Sequence, residues 1–267
     1  MKAFAECYNQ KPMRGLIDTH AHLEEIPDLD VSLAEARAAG VIATVAVGSD
    51  YASNQRALEI AKCYPGFVFP ALGLHPWNIK QEEVDKTIEL IQQHIEEIVG
   101  IGEIGLDYHK RVVAMASKEQ QKQVFARLLD VAQRHNKPAL VHSRYAWRDS
   151  LELVEQHGLR KAVFHWFTGP SSVLRDLIEQ RCFVSATPAA GYHEEHRRTV
   201  REAPDELLLL ETDSPVTYGR GSDSEFSAKP KDVRRSLSAA AVLRKSSEED
   251  IARITTENAA GLFNLTL

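Results

Sequence analysis

Short apolar runs alternate with longer stretches of helical periodicity along almost the whole chain. Leu16-Ile17-Asp18-Thr19 opens the pattern as a strand. A helix over 32–39 follows, closed by Gly40. The β-branched run 41–48 precedes a helix over 52–63. A strand over 67–72 precedes a helix over 82–96, and a strand over 98–102 a long helix over 118–135. Strands over 139–142, 161–165, 182–185 and 207–211 then alternate with helices over 146–157, 171–180 and 193–202, and helices over 231–243 and 248–263 end the chain. Eight β-then-α units without a long linker or repeat predict a parallel TIM (β/α)8 barrel with an additional C-terminal helix. A doubly wound open sheet is the alternative. It would be favoured by a Gly-rich turn after the first strand, and residues 18–22 contain no glycine.

Composition narrows the class. The chain has 267 residues, 43% hydrophobic and 26% charged, which fits a single domain over 16–267 behind an N-terminal extension, 1–15. A net charge of −6 advertises neither nucleic acid nor membrane through a global positive field. Cys7, Cys63 and Cys182 form no C-x-x-C and read as buried thiols of a reducing, cytoplasmic compartment. Residues 1–15 lack the continuous apolar core of a signal peptide. No run of about eighteen apolar residues predicts a membrane span. A monomer is the expected state.

The chemistry gathers where a barrel puts it, at the C-terminal ends of strands. Side chains two apart in an extended chain share a face, so His20 and His22 present two imidazoles in one direction. Later strands end in Gly73-Leu74-His75-Pro76-Trp77, Gly102-Glu103-Ile104-Gly105-Leu106-Asp107, Val141-His142-Ser143-Arg144, His165-Trp166-Phe167 and Glu211-Thr212-Asp213-Ser214-Pro215. Taken singly, His75 reads as a turn cap and His142 as a satisfied core histidine. Glu103 between glycines in an apolar strand, and Asp213 after an apolar run, are harder to place, because an unpaired buried carboxylate is costly. Glu211 is read as facing a helix or a salt bridge. Together His20, His22, Glu103, His142, His165 and Asp213 offer enough N and O donors for one or two divalent metals. The remaining histidines, at 94, 109, 135, 157, 193 and 196, are read as surface residues.

The ordered motifs L-I-D-T-H-A-H, G-L-H-P, G-E-I-G-L-D-Y, V-H-S-R, F-H-W-F-T-G and E-T-D-S-P resemble the TatD family of metal-dependent hydrolases. The likeness extends from Leu16 to Asn258-Ala259-Ala260-Gly261-Leu262-Phe263. The resemblance implies a barrel, two divalent ions (Zn, Mg, Mn or Co) and action on phosphodiester bonds, mostly of DNA. Carried over, His20, His22 and Asp213 would bind one ion, His142 and His165 the second, and Glu103 would bridge them. A metal-activated hydroxide would attack phosphorus. Asp213 would serve as base, and His75 as phosphate contact or leaving-group acid. Arg144 would pair with phosphate through its planar fork, and Trp77, Trp166 and Tyr192 would offer rings for bases.

Three departures set this chain apart. Family members usually begin near L-I-D-T-H. Trp166 stands where many have a cysteine, and Ala228-Lys229-Pro230 replaces an acid before the proline by Lys229. These bear on the substrate pocket, so hydrolysis of an ester (an aminoacyl ester, for instance), amide or lactone remains the alternative. A non-catalytic metal-binding interaction protein is the other. Two basic groups, Arg197, Arg198 and Arg201 with Lys229, Lys231, Arg234 and Arg235, would favour nucleic acid.

Overall fold

The computed structural model describes residues 15–267. The first fourteen residues, which hold Cys7 and nearly all of the expected extension, lie outside the described residues. Eight parallel strands follow one another around a nearly closed barrel. They are β1 Leu16–Ala21, β2 Val41–Val47, β3 Val68–Leu72, β4 Gly100–Asp107, β5 Ala139–Arg144, β6 Ala162–Phe164, β7 Phe183–Ala186 and β8 Leu208–Leu210. The helices between them are α1 Leu29–Ala38, α2 Tyr51–Cys63, α3 Gln81–Gln93, α4 Lys110–Val113, α5 Lys118–Arg134, α6 Trp147–Gln156, α7 Ser171–Glu179 and α8 Glu194–Glu202. Two more, α9 Val233–Arg244 and α10 Glu248–Phe263, follow the last barrel strand. Before them a hairpin of β9 Thr217–Tyr218 and β10 Phe226–Ser227, which the apolar pattern does not announce, lies over the mouth. The open-sheet alternative is thereby set aside.

Local chemistry explains the boundaries. Helices α2 and α5 start at reciprocal capping boxes, Asp50 with Ser53 and Ser117 with Gln120. Strand β4 runs on to Asp107, well beyond the expected end at Gly102. Gly105 allows this: its φ is +145°, and a Cβ there would lie 2.0 Å from the His142 carbonyl oxygen. Close approach of β4 to β5 thus needs a residue without a side chain.

The barrel interior is small and layered. Ile17, Ala43, Val45, Val47, Ala71, Leu140, Val163 and Leu209 fill its lower part, and Ala259, Leu262 and Phe263 of α10 close the floor. Burying side chains such as Leu262 and Phe263 contributes roughly 1.5–3 kcal/mol each, so α10 is part of the barrel rather than an appendage. A larger apolar layer separates strands from helices. Alternation then points the residue two beyond Leu140, Val163 and Leu209 into the upper half: His142, His165 and Glu211.

The seam between β1 and β8 carries a single backbone bridge, Ala21 to Ser214. Side chains and two backbone hydrogen bonds do the rest. Buried Asp18 accepts hydrogen bonds from Thr212 N at 2.9 Å and Thr212 Oγ1 at 2.6 Å, and Thr19 Oγ1 donates to the Leu210 carbonyl at 2.9 Å. Asp213 N and His22 N complete it, donating to His20 O at 2.9 Å and Ser214 O at 2.8 Å.

Candidate metal centre

Glu103 is the middle of the upper layer. It is 4% exposed and its two oxygens face different neighbours. Oε2 lies 3.5 Å from His20 Nε2 and 3.3 Å from His22 Nε2. Those same nitrogens lie 3.7 and 3.6 Å from Asp213 Oδ1. Oε1 lies 2.9 Å from both His142 Nδ1 and His165 Nε2, and 3.4 Å from His75 Nε2. The ends of β1, β3, β5, β6 and β8 thus deliver polar side chains to the space around one carboxylate of β4. Gly73 makes room for it: a Cβ there would sit 2.4 Å from the Glu103 carbonyl oxygen.

The outer nitrogens of the rings fix which nitrogen is free. His22 Nδ1 donates to the Val47 carbonyl at 3.0 Å, so in the neutral ring Nε2 keeps its lone pair inward. His142 Nε2 is 3.2 Å from Asp107 Oδ2, which leaves Nδ1 inward. His165 Nδ1 lies 3.5 Å from Glu211 Oε1 without a hydrogen bond, and its Nε2 faces inward to Glu103. His75 is the exception. Its Nδ1 accepts from Trp77 N at 3.1 Å, so in the neutral ring the inward Nε2 carries the proton. Burial pushes this ring down to about 4, so it is a neutral hydrogen-bond donor at physiological pH.

The electrostatics favour positive charge on His22, His142 and His165. Burial alone would lower the His22 pKa, but the hydrogen bond and charge of Glu103, with Asp213, raise it to about 10. Burial works likewise against His165, and Glu103 and Glu211 carry it well above the ordinary histidine value. Burial would lift Glu103, yet the surrounding histidines hold it well below the usual carboxylate range. An arrangement that stabilises cationic imidazoles beside carboxylates stabilises a metal cation by the same attraction.

Whether a metal fits is tested by the groups left unsatisfied. His20 is fully buried, and neither ring nitrogen has a hydrogen-bond partner among the described residues. An unpaired buried polar atom costs about 1–3 kcal/mol. Donor atoms of His20, His22 and Asp213 lie within 4.8 Å of one another, as do those of His75, Glu103 and His142, and those of His20, His165 and Glu211. The donor set is all imidazole and carboxylate, which suits Zn, Mn, Co or Mg. The residues fit divalent cations.

Several side chains sit elsewhere than the sequence reading put them. Glu211 is buried at the centre, because it shares the inward parity of Leu209; its Oε1 also accepts from Trp166 N at 3.1 Å. That bond holds the turn at Trp166, whose φ of 40° is strained for an indole-bearing residue. Asp213 is left-handed too, at φ 49°, gripped by the β1–β8 seam. His196 is no surface residue: it is fully buried on α8, and of the two described cysteines Cys63 is exposed and Cys182 is buried as expected. Lys229 turns away from the mouth to Glu35, at 3.3 Å, where Lys231 also pairs at 3.0 Å. Several of the basic groups are paired in this way, Arg201 with Glu194 at 2.6 Å and Arg235 with Asp232 at 3.0 Å, while Arg197, Arg234 and Arg235 line one surface cavity.

Asp107 and Glu24 carry parts of the site that sequence reasoning passed over. Asp107 is fully buried and gathers His142, Arg144, Trp77 and the His109 N–H on one carboxylate. Arg144 Nε and Nη2 both engage it, at 3.1 and 2.9 Å, so the fork expected to meet phosphate is occupied from within. Glu24 lies 3.9 Å from His22 Nδ1, and burial lifts its pKa to about 7. Parity from Glu103 would have flagged Asp107, further along the same strand; Glu24 sits in a 3-10 turn, where no periodicity points to it.

A barrel whose strand ends carry this imidazole–carboxylate centre defines a metal-dependent hydrolase class. A family profile described as TatD related DNase matches residues 17–264, and the chain belongs to that family. It is 31% identical over 262 residues to human deoxyribonuclease TATDN3, covering 93% of this chain and 94% of that protein. It is 33% identical to the uncharacterized metal-dependent hydrolase YabD of Bacillus subtilis, with 94% and 99% covered. Among solved structures, YjjV, a TatD homolog of Escherichia coli, superposes with a TM-score of 0.85 at 25% identity, covering 95% of this chain and all of that one. No helix among the described residues is long and apolar enough to cross a membrane.

Proposed function

We propose that the protein is a divalent-metal-dependent phosphodiesterase that hydrolyses DNA. The observation that carries this reading is the division of Glu103, one oxygen toward His20 and His22 and the other toward His142 and His165. On this reading His20, His22 and Asp213 would hold one ion and His142 and His165 a second, with Glu103 serving each. Bound there, divalent cations would supply the Lewis acidity that acidifies a water and neutralises charge on phosphoryl oxygens.

The chain's own groups do the rest. Asp213 Oδ1 faces the same space as Glu103 Oε2, where it orients the attacking water and takes its proton. His75 Nε2–H, held neutral by burial, donates to a phosphate oxygen or to the leaving alkoxide without adding a charge. The carboxylate of Asp107 would lock His142 in the tautomer that presents a lone pair inward, and that of Glu211 stands 3.5 Å behind His165 Nδ1. The DNA reading draws further support from the human relative, which is named a deoxyribonuclease.

A substrate panel tests the reading: single-stranded and duplex DNA, RNA, bis(p-nitrophenyl) phosphate and an acyl ester, each with Mg, Mn, Co or Zn and with a chelator. Metal-dependent cleavage of DNA and of the phosphodiester is expected. Cleavage of the acyl ester alone, or cleavage of DNA that persists after chelation, overturns it.

A further inference from the structure

Trp77 and Arg144 leave the tips of β3 and β5 and meet over the mouth. The guanidinium carbon lies 5.1 Å from the indole centroid, a cation–π stack of two flat groups. Both are pinned to Asp107, Trp77 through Nε1–H at 2.6 Å and Arg144 through Nε and Nη2. Asp107 is fully buried, so this is a rigid mount and not a surface ion pair. A third contact steadies the indole, the edge of His75 at 5.2 Å and 81°. Yet the stack itself is open: Trp77 is 47% exposed, and the Arg144 side chain is 38% exposed. A large aromatic held this firmly while half in water is organised for something flat to cover it.

The neighbours of the stack identify what that is. Asp107 also holds His142, and His75, whose Nε2–H points to Glu103, touches Trp77. The stack is therefore one residue removed from the groups that would face phosphate. Arg144 is already neutralised by Asp107, so it offers a planar face more than a net charge, which disfavours a second phosphate as the occupant. Nucleobases stack on aromatic rings and on guanidinium planes irrespective of sequence.

We propose that the Trp77–Arg144 stack, mounted on Asp107, is a nucleobase-binding subsite for the nucleotide whose phosphate occupies the metal centre. The inference rests on the phosphodiesterase reading. It adds that the base is recognised by its π face, so the subsite discriminates nucleotides from base-free sugar phosphates and not one base from another.

The test is equilibrium binding to the manganese-loaded protein, by calorimetry, of thymidine 5′-monophosphate against deoxyribose 5-phosphate. Base stacking contributes enough to expect at least about a fivefold tighter Kd for the nucleotide. Trp77→Ala should bring that ratio close to one, and Trp77→Leu, which fills space without a π face, should do the same if the alanine variant folds poorly. Trp77→Phe, retaining a ring but not the Nε1–H anchor, should keep most of the preference. A wild-type ratio near one overturns the proposal, and so does a ratio that survives both Trp77→Ala and Trp77→Leu. Hydrolysis of thymidine 5′-p-nitrophenyl phosphate, run in parallel, reads the phosphodiesterase assignment separately. Base preference in binding without hydrolysis upholds the subsite and refutes the activity, and hydrolysis without base preference does the reverse.

Discussion

Two fully buried histidines, His20 at the end of β1 and His196 on α8, sit in opposite surroundings. His196 is satisfied on both sides: Nδ1–H donates to the Phe167 carbonyl at 3.1 Å, and Nε2 accepts from Thr187 N at 3.0 Å. Burial pushes its pKa down to about 4, and the ring serves as a neutral brace between the turns after β6 and β7. His20 is equally buried but has neither nitrogen bonded, with carboxylates at 3.5 and 3.7 Å. The same side chain at the same depth is in one place a structural hydrogen-bonding unit and in the other an unbonded ring beside two carboxylates. Burial therefore does not separate the two roles. What separates them is whether backbone groups bond the ring nitrogens, as at His196, or carboxylates and other imidazoles surround the ring, as at His20.

That contrast is broken most sharply at Glu103. Glu103→Gln keeps the shape but removes the charge that the mouth is built around. Turnover should fall by about 10³–10⁴-fold, the upper range for a single acid–base or charge-stabilising group. Steady-state kinetics with elemental analysis should show lost metal, and circular dichroism an intact fold. Near-normal turnover with full metal would remove the bridging role.

A smaller effect is expected at Asp213, which only one half of the centre uses. Asp213→Asn leaves one oxygen to coordinate but cannot take a proton near neutrality, so kcat should drop by at least about a hundredfold with KM little changed. No helix begins at Asp213, since the chain there enters β9, so loss of a helix cap would not account for the drop. Unchanged kcat in this variant would discard the assignment of base.

The smallest effect falls on the other histidine, His196, and is read through pH with no metal involved. Its folded pKa of about 4 lies below the ordinary value of 6.5. The unfolded chain thus takes up a proton at higher pH than the folded one. The stability contributed by the neutral ring is complete above about pH 6.5 and is lost as pH falls from there to about 4, by up to about 3 kcal/mol. Melting curves of chelated wild type and of His196→Gln should converge across that window. Parallel curves would show that the brace contributes nothing to acid sensitivity.

Much of this molecule was legible in its residues, for reasons the structure makes plain. Barrel strands are short and β-branched, helices carry their own caps at Asp50, Ser117 and Ser247, and each unit repeats the same apolar alternation. His20, His22, Glu103, His142, His165 and Asp213 stood out because ending an apolar strand in a buried imidazole or carboxylate is costly unless a cation or a hydrogen-bond partner meets it. Glu211 is misplaced against its own signal: it shares the parity of Leu209 and Asp213, so alternation alone points it into the barrel, where it is fully buried. His196 was invisible because what buries it, the carbonyl of Phe167 and the N–H of Thr187, comes from loops outside its own helix. Arg144 was recognised as important, yet its partner Asp107 decides what it does, and pairings across strands are not written in either strand alone.

The side-chain seam between β1 and β8 has a consequence for how the protein comes into being. Thr212 and Asp18 are separated by 194 residues, and the contact between them also sets Asp213 beside His20. Closing so long a loop is entropically costly and slow, and nothing shorter substitutes for it. A chain emerging from the ribosome with seven strands complete carries His20, His22 and Glu103 but no Asp213. The fold thus withholds the complete first cluster until the eighth strand and the turn after it have been made, so a chain that stops short of them carries an incomplete centre.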